Sequence, residues 1–341
     1  MSLELRDLLE RLLEGGHLAE AEAGSLMLAL TDPGVAPAMS GALLAALRAK
    51  GITADEVRGF AGAMRSLARR PLLPEGLPAI DVVGTGGDAS GSFNLSTGAA
   101  LLVAATGQPV VKHGNRSVSS RSGSADLLEA LGLPLPLDER AAGECLQATG
   151  FTFLFAPHYH PAMKEIAPVR RALGVRTVFN LLGPLTNPAA PPFGLIGAWS
   201  REAARLMADT LAGMAIERVF VVHGEPGWDE ATPCGPFELY DVSPGSVAHE
   251  LRDPRDCGLA RCLPAELAGG DATHNAVGLR AVLRGEDRGP HRDAVLLNAA
   301  LALEVAGRAA GLAEGLALAA ATIDRGDGAR LLERLAAFGT A

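Results

Sequence analysis

The sequence has 341 residues, with 48% hydrophobic and only 4% aromatic side chains. That is enough chain for one large domain or a large domain with a smaller partner, and a core of Leu, Val, Ile and Ala suits helices packed on a sheet better than a β-sandwich. The formal net charge of −9 argues against non-specific nucleic-acid binding, which needs a basic surface to displace counterions from phosphates.

The N-terminus (LELRDLLERLLEGG) is amphipathic and acidic. A secretory signal would begin basic and continue into a short apolar stretch, and no run here reaches membrane-span length, so no membrane partner and a cytoplasmic location are expected. Leu5, Leu8, Leu9, Leu12 and Leu13 recur at helical spacing until Gly15-Gly16 stops the pattern. Further helices are predicted near 19–30, 38–50 and 54–68, the last with Thr53 as N-cap and Glu56 as its capping-box partner. Arg69-Arg70-Pro71-Leu72-Leu73-Pro74 reads as a linker, because two prolines near a helix end forbid its continuation. The organisation expected is a small all-helical N-terminal domain over 1–72, followed by an α/β domain over 75–341 with a central, mainly parallel sheet.

Strand and helix then alternate. Strands are predicted at 79–83, 109–111, 151–155, 194–197 and 219–222. Helices are predicted at 99–105, 125–131 (stopped by Gly132), 202–212, 294–306 and 312–323. The first strand runs into Gly84-Thr85-Gly86-Gly87-Asp88. Glycines directly after a strand let backbone N–H groups approach a phosphate, and Ser96 or Thr97 is expected to cap an anion-binding helix start. Gly84, Gly86 and Ala89 also fit the dinucleotide pattern G-x-G-x-x-G/A, but here Asp88–Leu95 intervenes before the helix. The next strand ends in basic Lys112-His113 rather than an acid, which counts further against that reading.

Lys112–Asp126 (KHGNRSVSSRSGSAD) holds three cations, five serines and two glycines in fifteen residues. Cations and hydroxyls at a strand's C-terminal end suit phosphate, and two such loops on adjacent strands suit a ligand with two separate phosphate groups. Downstream, His158 and His160 are a weak metal signal, since no carboxylate accompanies them. Arg170 is the better candidate, because a guanidinium matches a carboxylate with two parallel bonds, whereas Arg171 and Arg176 fit a surface role. Asp229-Glu230 follows a buried strand. Alone it reads as a solvated acidic turn; beside two phosphate loops it reads as a Mg²⁺ site shared with substrate phosphates. Cys145, Cys234, Cys257 and Cys262 form no CxxC pair, so reduced thiols are expected.

Taken together, Gly84–Asp88, Asn94-Leu95-Ser96-Thr97, Lys112–Asp126, Pro168–Asn187 and Asp229-Glu230 resemble the anthranilate phosphoribosyltransferase family of tryptophan biosynthesis. The resemblance extends through Asn298-Ala299-Ala300 to the last helix. It implies a homodimer, in which helices near 160–180 join the helical domain. It also implies 5-phosphoribosyl 1-diphosphate and anthranilate as substrates, with Mg²⁺. Carried over residue by residue, it assigns Gly84, Gly86, Gly87, Asp88, Ser92, Asn94, Ser96, Thr97, Lys112 and Ser124 to the phosphoribosyl donor. Gly84, Asn115, His160, Arg170, Gly183 and Pro184 go to anthranilate, and Ser96, Asp229 and Glu230 to the metal. Ser117 and Arg121 stand where Ala and Lys are usual, and Trp228 where an aliphatic residue is. The implied transfer breaks the anomeric bond to a cationic ribose and needs no general base, since a neutral aromatic amine can attack directly. Two alternatives are a pyrimidine nucleoside phosphorylase, which shares a similar glycine loop and KHG segment, and a non-catalytic nucleic-acid-binding paralogue.

Overall fold

The structure is a computed structural model that describes residues 5–88, 90–117 and 121–339. It opens with four helices, α1 (Leu5–Leu13), α2 (Glu20–Leu30), α3 (Pro37–Lys50) and α4 (Ala54–Ser66). The leucine spacing buries Leu8 and Leu12 on the inner face of α1 and leaves Leu13 exposed. The capping box at α4 is present: Glu56 N donates to Thr53 Oγ1 and Thr53 N to the Glu56 carboxylate. Glu56 is fully buried, and it also accepts from Leu18 N and pairs with Lys50, both at 2.8 Å. A buried carboxylate so satisfied ties the α1–α2 connection to α3 and α4.

After the proline-rich connection come β1 (Ile80–Gly84), α5 (Leu95–Ala105), β2 (Val110–Gly114), α6 (Ser124–Leu131), α7 (Glu139–Thr149) and β3 (Phe151–Phe155). The chain continues through α8 (Ala156–Tyr159), α9 (Met163–Leu173), α10 (Phe179–Leu185), β4 (Phe193–Gly197), α11 (Arg201–Leu211) and β5 (Arg218–Gly224). A hairpin follows, β6 (Phe237–Ser243) and β7 (Ser246–Arg252), then 3₁₀ turns at Pro254–Cys257 and Pro264–Leu267. Four helices close the chain: α12 (Ala272–Leu283), α13 (Pro290–Val305), α14 (Leu312–Asp324) and α15 (Asp327–Phe338).

The strands form one seven-stranded sheet in the order β3-β2-β1-β4-β5-β6-β7. β1 to β5 pair in parallel, and the β6–β7 hairpin adds antiparallel strands at one edge. The mainly parallel sheet is as expected; the hairpin was not anticipated. Its outer strand β7 is largely solvent-exposed, which hides the apolar alternation that marks a strand. The chain builds outward from β1 through β2 to β3, then crosses back to β4 on the other side of β1. Such a topological switch point leaves a crevice at the strands' C-terminal ends, and here it falls on the glycine loop.

Two hydrophobic clusters form. One packs α5, α12, α13, α14 and α15 against the sheet. The other joins Leu12, Met27, Leu43 and Phe60 of the N-terminal helices to Ile166 of α9, Phe179 and Leu182 of α10, Met207 of α11, and Ile196, Val219 and Val221 of β4 and β5. All four cysteines are unbridged, as expected, although Cys234 Sγ and Cys262 Sγ are 3.7 Å apart. Among the described residues no helix is long and apolar enough to cross a membrane.

Candidate functional site

The crevice between β1 and β4 is built around Asp229, on the loop that follows β5. Gly84 pairs with Gly197 across the two strands, and Thr85 N donates to Gly197 O at 3.0 Å. Both positions must be glycine for a packing reason: a Cβ on Gly84 would lie 2.4 Å from Asp229 Oδ2, and one on Gly197 would lie 1.4 Å from the Asp229 carbonyl oxygen. With that space open, Asp229 Oδ2 accepts from Gly86 N at 2.5 Å and from Thr85 Oγ1 at 3.4 Å. Asp229 N in turn donates to Asp88 Oδ2 at 3.4 Å.

Glu230 reaches the neighbouring loop. Its carboxylate accepts from Ser96 N at 3.1 Å and from Ser92 Oγ at 3.2 Å. The start of α5 therefore binds a carboxylate of the protein itself, where its dipole and free N–H groups favour negative charge. This helix begins at Leu95, with Asn94 at the cap position. The expected caps Ser96 and Thr97 lie within its first turn, and Ser96 N is satisfied by Glu230 instead of by a side-chain cap. Thr97 is buried, and its hydroxyl has no hydrogen-bond partner among the described residues.

Asp229 and Glu230 are buried rather than solvated. Burial, then the charge of Asp88, raises Asp229 to about 7; burial and the adjacent charges of Asp229 and Asp88 push Glu230 well above the carboxylate range. Such a pair has affinity for a cation that would offset both charges. Among the described residues no set of three or more His, Cys, Asp or Glu is arranged to enclose a metal ion alone. Two adjacent carboxylates are the kind of donor set through which Mg²⁺ binds when water and substrate phosphates complete its shell.

Lys112 belongs to β2, which runs to Gly114 and not only to Val111. Its side chain is buried; Nζ donates to the Val82 carbonyl and reaches Ser96 Oγ at 3.5 Å. Burial lowers its pKa, while the charges of Asp81, Glu230 and Asp229 oppose that shift. Asp81 is fixed beside it by Asn187 Nδ2 at 2.8 Å and His113 N at 3.3 Å. Asn187 Nδ2 also donates to the Val111 carbonyl, so one amide joins β1 to β2 beneath the loops.

The serine-rich segment divides. Ser124 Oγ donates to Asn115 O at 3.2 Å, closing the loop on itself beside Gly114. Asn94 Nδ2 donates to Ser122 O at 3.1 Å, linking this segment to the glycine loop. Among its cations, Arg116 has acidic partners within the protein. That guanidinium is held by Asp126 at 2.8 Å and by both oxygens of Glu129, and so ties the loop to α6. The sequence reading missed this because Asp126 and Glu129 lie ten and thirteen residues along the chain from Arg116 and are brought to it only by folding. Ala89, Val118, Ser119 and Ser120 lie outside the described residues.

The acceptor-side candidates gather around α10. His113 Nδ1 is 3.1 Å from the carbonyl oxygen of Gly183, and the His113 and His160 rings meet edge to face with centroids 5.1 Å apart. Burial holds both imidazoles neutral, His113 at about 3 and His160 at about 4. His158 turns away toward Tyr159 and Glu139, so the two histidines form no metal pair. Pro184 is buried in α10, whereas Asn115, just beyond β2, is exposed and makes no hydrogen bond to α10 among the described residues. Arg170 stacks on Phe179, one turn before Gly183, at 4.9 Å. Its guanidinium has no carboxylate or carbonyl partner among the described residues, and burial lowers its pKa.

Three residues with contacts near the site were given no site role by sequence. Arg176, read as a surface residue, stacks over Trp199 at 4.6 Å and donates to the Gly87 carbonyl; Arg48 of α3 holds its own carbonyl at 2.9 Å. Asn298 Nδ2 holds the Ala231 carbonyl at 2.8 Å, just beyond the acidic pair. Asn275 of α12 donates to Asn94. Only its polar character within an otherwise apolar helix face could have marked it. Trp228 is buried in the core, where its ring anchors the acidic loop.

The family described as "Glycosyl transferase family, a/b domain" matches residues 76–329, and its "helical bundle domain" matches residues 6–68. Anthranilate phosphoribosyltransferase of Pelotomaculum thermopropionicum is 46% identical over 339 residues, covering 98% of this chain and 96% of that protein. The enzyme of the same name from Methylobacterium sp. is 47% identical over 98% of each chain. Among solved structures, the Thermus thermophilus anthranilate phosphoribosyltransferase superposes with a TM-score of 0.92 at 45% identity, covering 98% of this chain and all (100%) of that one. The Saccharomyces cerevisiae enzyme in complex with PRPP and Mg superposes with a TM-score of 0.89 at 27% identity, covering 98% of both chains.

Proposed function

The chain belongs to the anthranilate phosphoribosyltransferase family, and from that premise we propose how its residues divide the work of the reaction. The protein transfers the 5-phosphoribosyl group from 5-phosphoribosyl 1-diphosphate to the amine of anthranilate, releasing diphosphate, a step of tryptophan biosynthesis. The observation that carries the reading is the meeting of Gly84, Gly86, Asp88, Ser92, Ser96, Asp229 and Glu230 at the sheet's switch point.

The donor lies over the glycine loop, with Gly86, Gly87, Asn94, Thr97, Lys112 and Ser124 completing its surroundings. Ser96, Asp229 and Glu230 hold Mg²⁺, which when bound offsets charge on the departing diphosphate. Lys112 adds a fixed positive charge behind the acidic pair, already in place before the anomeric bond breaks, so little reorganisation is needed as charge develops on the leaving group. Anthranilate lies between Asn115, His160, Gly183 and Pro184, with Arg170 supplying the counter-charge to its carboxylate. Neutral His113 and His160 make that pocket polar without competing for the carboxylate. The neutral amine attacks without prior deprotonation and, once the C–N bond has formed, releases its proton to solvent, so catalysis rests on placing it against the anomeric carbon.

The same reading makes residues 1–72 a helical domain joined by α9 and α10, residues 75–341 the donor-binding domain, the working protein a homodimer, and its location the cytoplasm. A pyrimidine nucleoside phosphorylase would leave Arg170 and the acidic pair without a role. Assaying anthranilate consumption and thymidine phosphorolysis side by side decides between the two. Replacing both Asp229 and Glu230 with alanine tests the metal assignment, since normal activity with unaltered magnesium dependence would make the pair structural.

A further inference from the structure

Asn94 lies between the glycine loop and α5, and its side chain is fixed from a distant part of the chain. Asn275, in the first turn of α12, is buried. Gly270 N donates to Asn275 Oδ1 at 2.7 Å, Asn275 Nδ2 donates to Asn94 Oδ1 at 2.7 Å, and Asn94 Nδ2 donates to Ser122 O at 3.1 Å. The two ends of this relay are backbone groups of fixed polarity. An N–H can only donate and a carbonyl can only accept, so neither amide can flip without setting like groups against each other. The strand-like segment before α12 reinforces the arrangement. Phe93 N donates to Leu267 O and Gly269 N to Gly91 O, both at 2.9 Å, and a Cβ on Gly269 would lie 2.6 Å from Ser92 O.

We propose that Asn275 is a positioning residue for the phosphoribosyl donor, one that orients the Asn94 amide from α12 without touching the substrate. The inference rests on the donor-site reading given above. Among the described residues each Asn94 amide atom keeps one unused position, a second N–H on Nδ2 and a second lone pair on Oδ1, and the relay decides which way each faces. It also binds together three segments: the glycine loop, the serine-rich loop and the start of α12. Asparagine suits the position because it must accept at one end and donate at the other. Aspartate has the same shape but cannot donate, so it would set a carboxylate oxygen against Asn94 Oδ1 and drive that amide to turn over.

The test is titration of 5-phosphoribosyl 1-diphosphate with Mg²⁺ into the full-length protein by calorimetry, for wild type, Asn275→Asp, Asn275→Ala, Asn94→Ala and the double variant Asn94→Ala/Asn275→Asp. Steady-state kinetics for both substrates accompany it. Asn275→Asp is expected to weaken donor binding about tenfold, with the KM for anthranilate at saturating donor changed by less than about twofold. Asn275→Ala, which buries no new charge, is expected to fall in the same direction, and it keeps the test decisive if the aspartate variant does not fold. In the Asn94→Ala background the second substitution should add nothing, because the amide it orients is gone. Wild-type binding that both Asn275 variants match would overturn the inference alone, as would an Asn275→Asp effect undiminished without Asn94. A wild-type protein that binds no donor would overturn the donor-site reading and this inference with it.

Discussion

Arg170→Gln separates the role of a charge in binding from its role in stability. The guanidinium stacks on Phe179 at 4.9 Å, is partly buried, and meets no acidic side chain among the described residues. A cation so placed costs desolvation and regains only the ring contact, about 0.5–2 kcal/mol. Removing the charge therefore shifts unfolding free energy by no more than about 1 kcal/mol, because the lost stacking and the relieved desolvation oppose each other. Binding responds differently. Loss of a charged hydrogen bond to a carboxylate costs roughly 1.5–3 kcal/mol, or about ten- to a hundredfold in affinity. The KM for anthranilate should rise by that factor, while the KM for 5-phosphoribosyl 1-diphosphate stays within about twofold of wild type. Initial rates over a grid of both substrates, with urea unfolding on the same preparations, supply both numbers. Equal rises in the two KM values, or a stability loss of several kcal/mol, would refute the reasoning.

Gly84 does not have a positive φ, so Gly84→Ala is compatible with the backbone and acts only through the contact of its Cβ with Asp229. Overpacking of this kind costs about 1–3 kcal/mol, and the variant should need roughly tenfold or more Mg²⁺ for half-maximal rate; an unshifted magnesium titration would contradict it. Arg116 is committed to Asp126 and Glu129, so Arg116→Ala should leave the donor KM within about threefold of wild type, and a rise beyond tenfold would show that it binds substrate after all. His113 and His160 titrate at about 3 and about 4 when folded, against about 6.5 unfolded. Above 6.5 both states are neutral. Below it the unfolded chain takes up protons that the folded one refuses, so stability falls as pH drops from 6.5 toward 4, by about 1.4 kcal/mol per pH unit for each histidine. His113→Gln should remove one histidine's share of that slope, read from urea midpoints at pH 7 and pH 5, and an unchanged slope would refute the assignment.

The parts of the fold that sequence made legible were those with strong local signals. The Thr53–Glu56 capping box, the Gly132 stop and the strand Phe151–Phe155 all depend on neighbours within a turn or on an unbroken apolar run. The β6–β7 hairpin was hidden because β7 faces solvent along most of its length. The start of α5 was set too late because its first turn is met from afar, Glu230 accepting from Ser96 N, rather than by a local side-chain cap. The site behaved in the same way. The identities of Gly84, Asp88, Asp229 and Glu230 stood out as motifs, yet their burial and mutual bonding depend on the order in which β1, β4 and β5 assemble. Arg116 and Arg176 find partners that sequence proximity does not set: Glu129 for Arg116, and the Gly87 carbonyl for Arg176, which stays exposed as the sequence suggested.

The transfer reaction is measured most directly by following anthranilate fluorescence with purified protein, 5-phosphoribosyl 1-diphosphate and Mg²⁺, while released diphosphate is counted in parallel. Fluorescence should fall only when all three are present, with one diphosphate released for each anthranilate consumed. Diphosphate release that does not depend on anthranilate, or no loss of fluorescence under these conditions, would contradict the assignment.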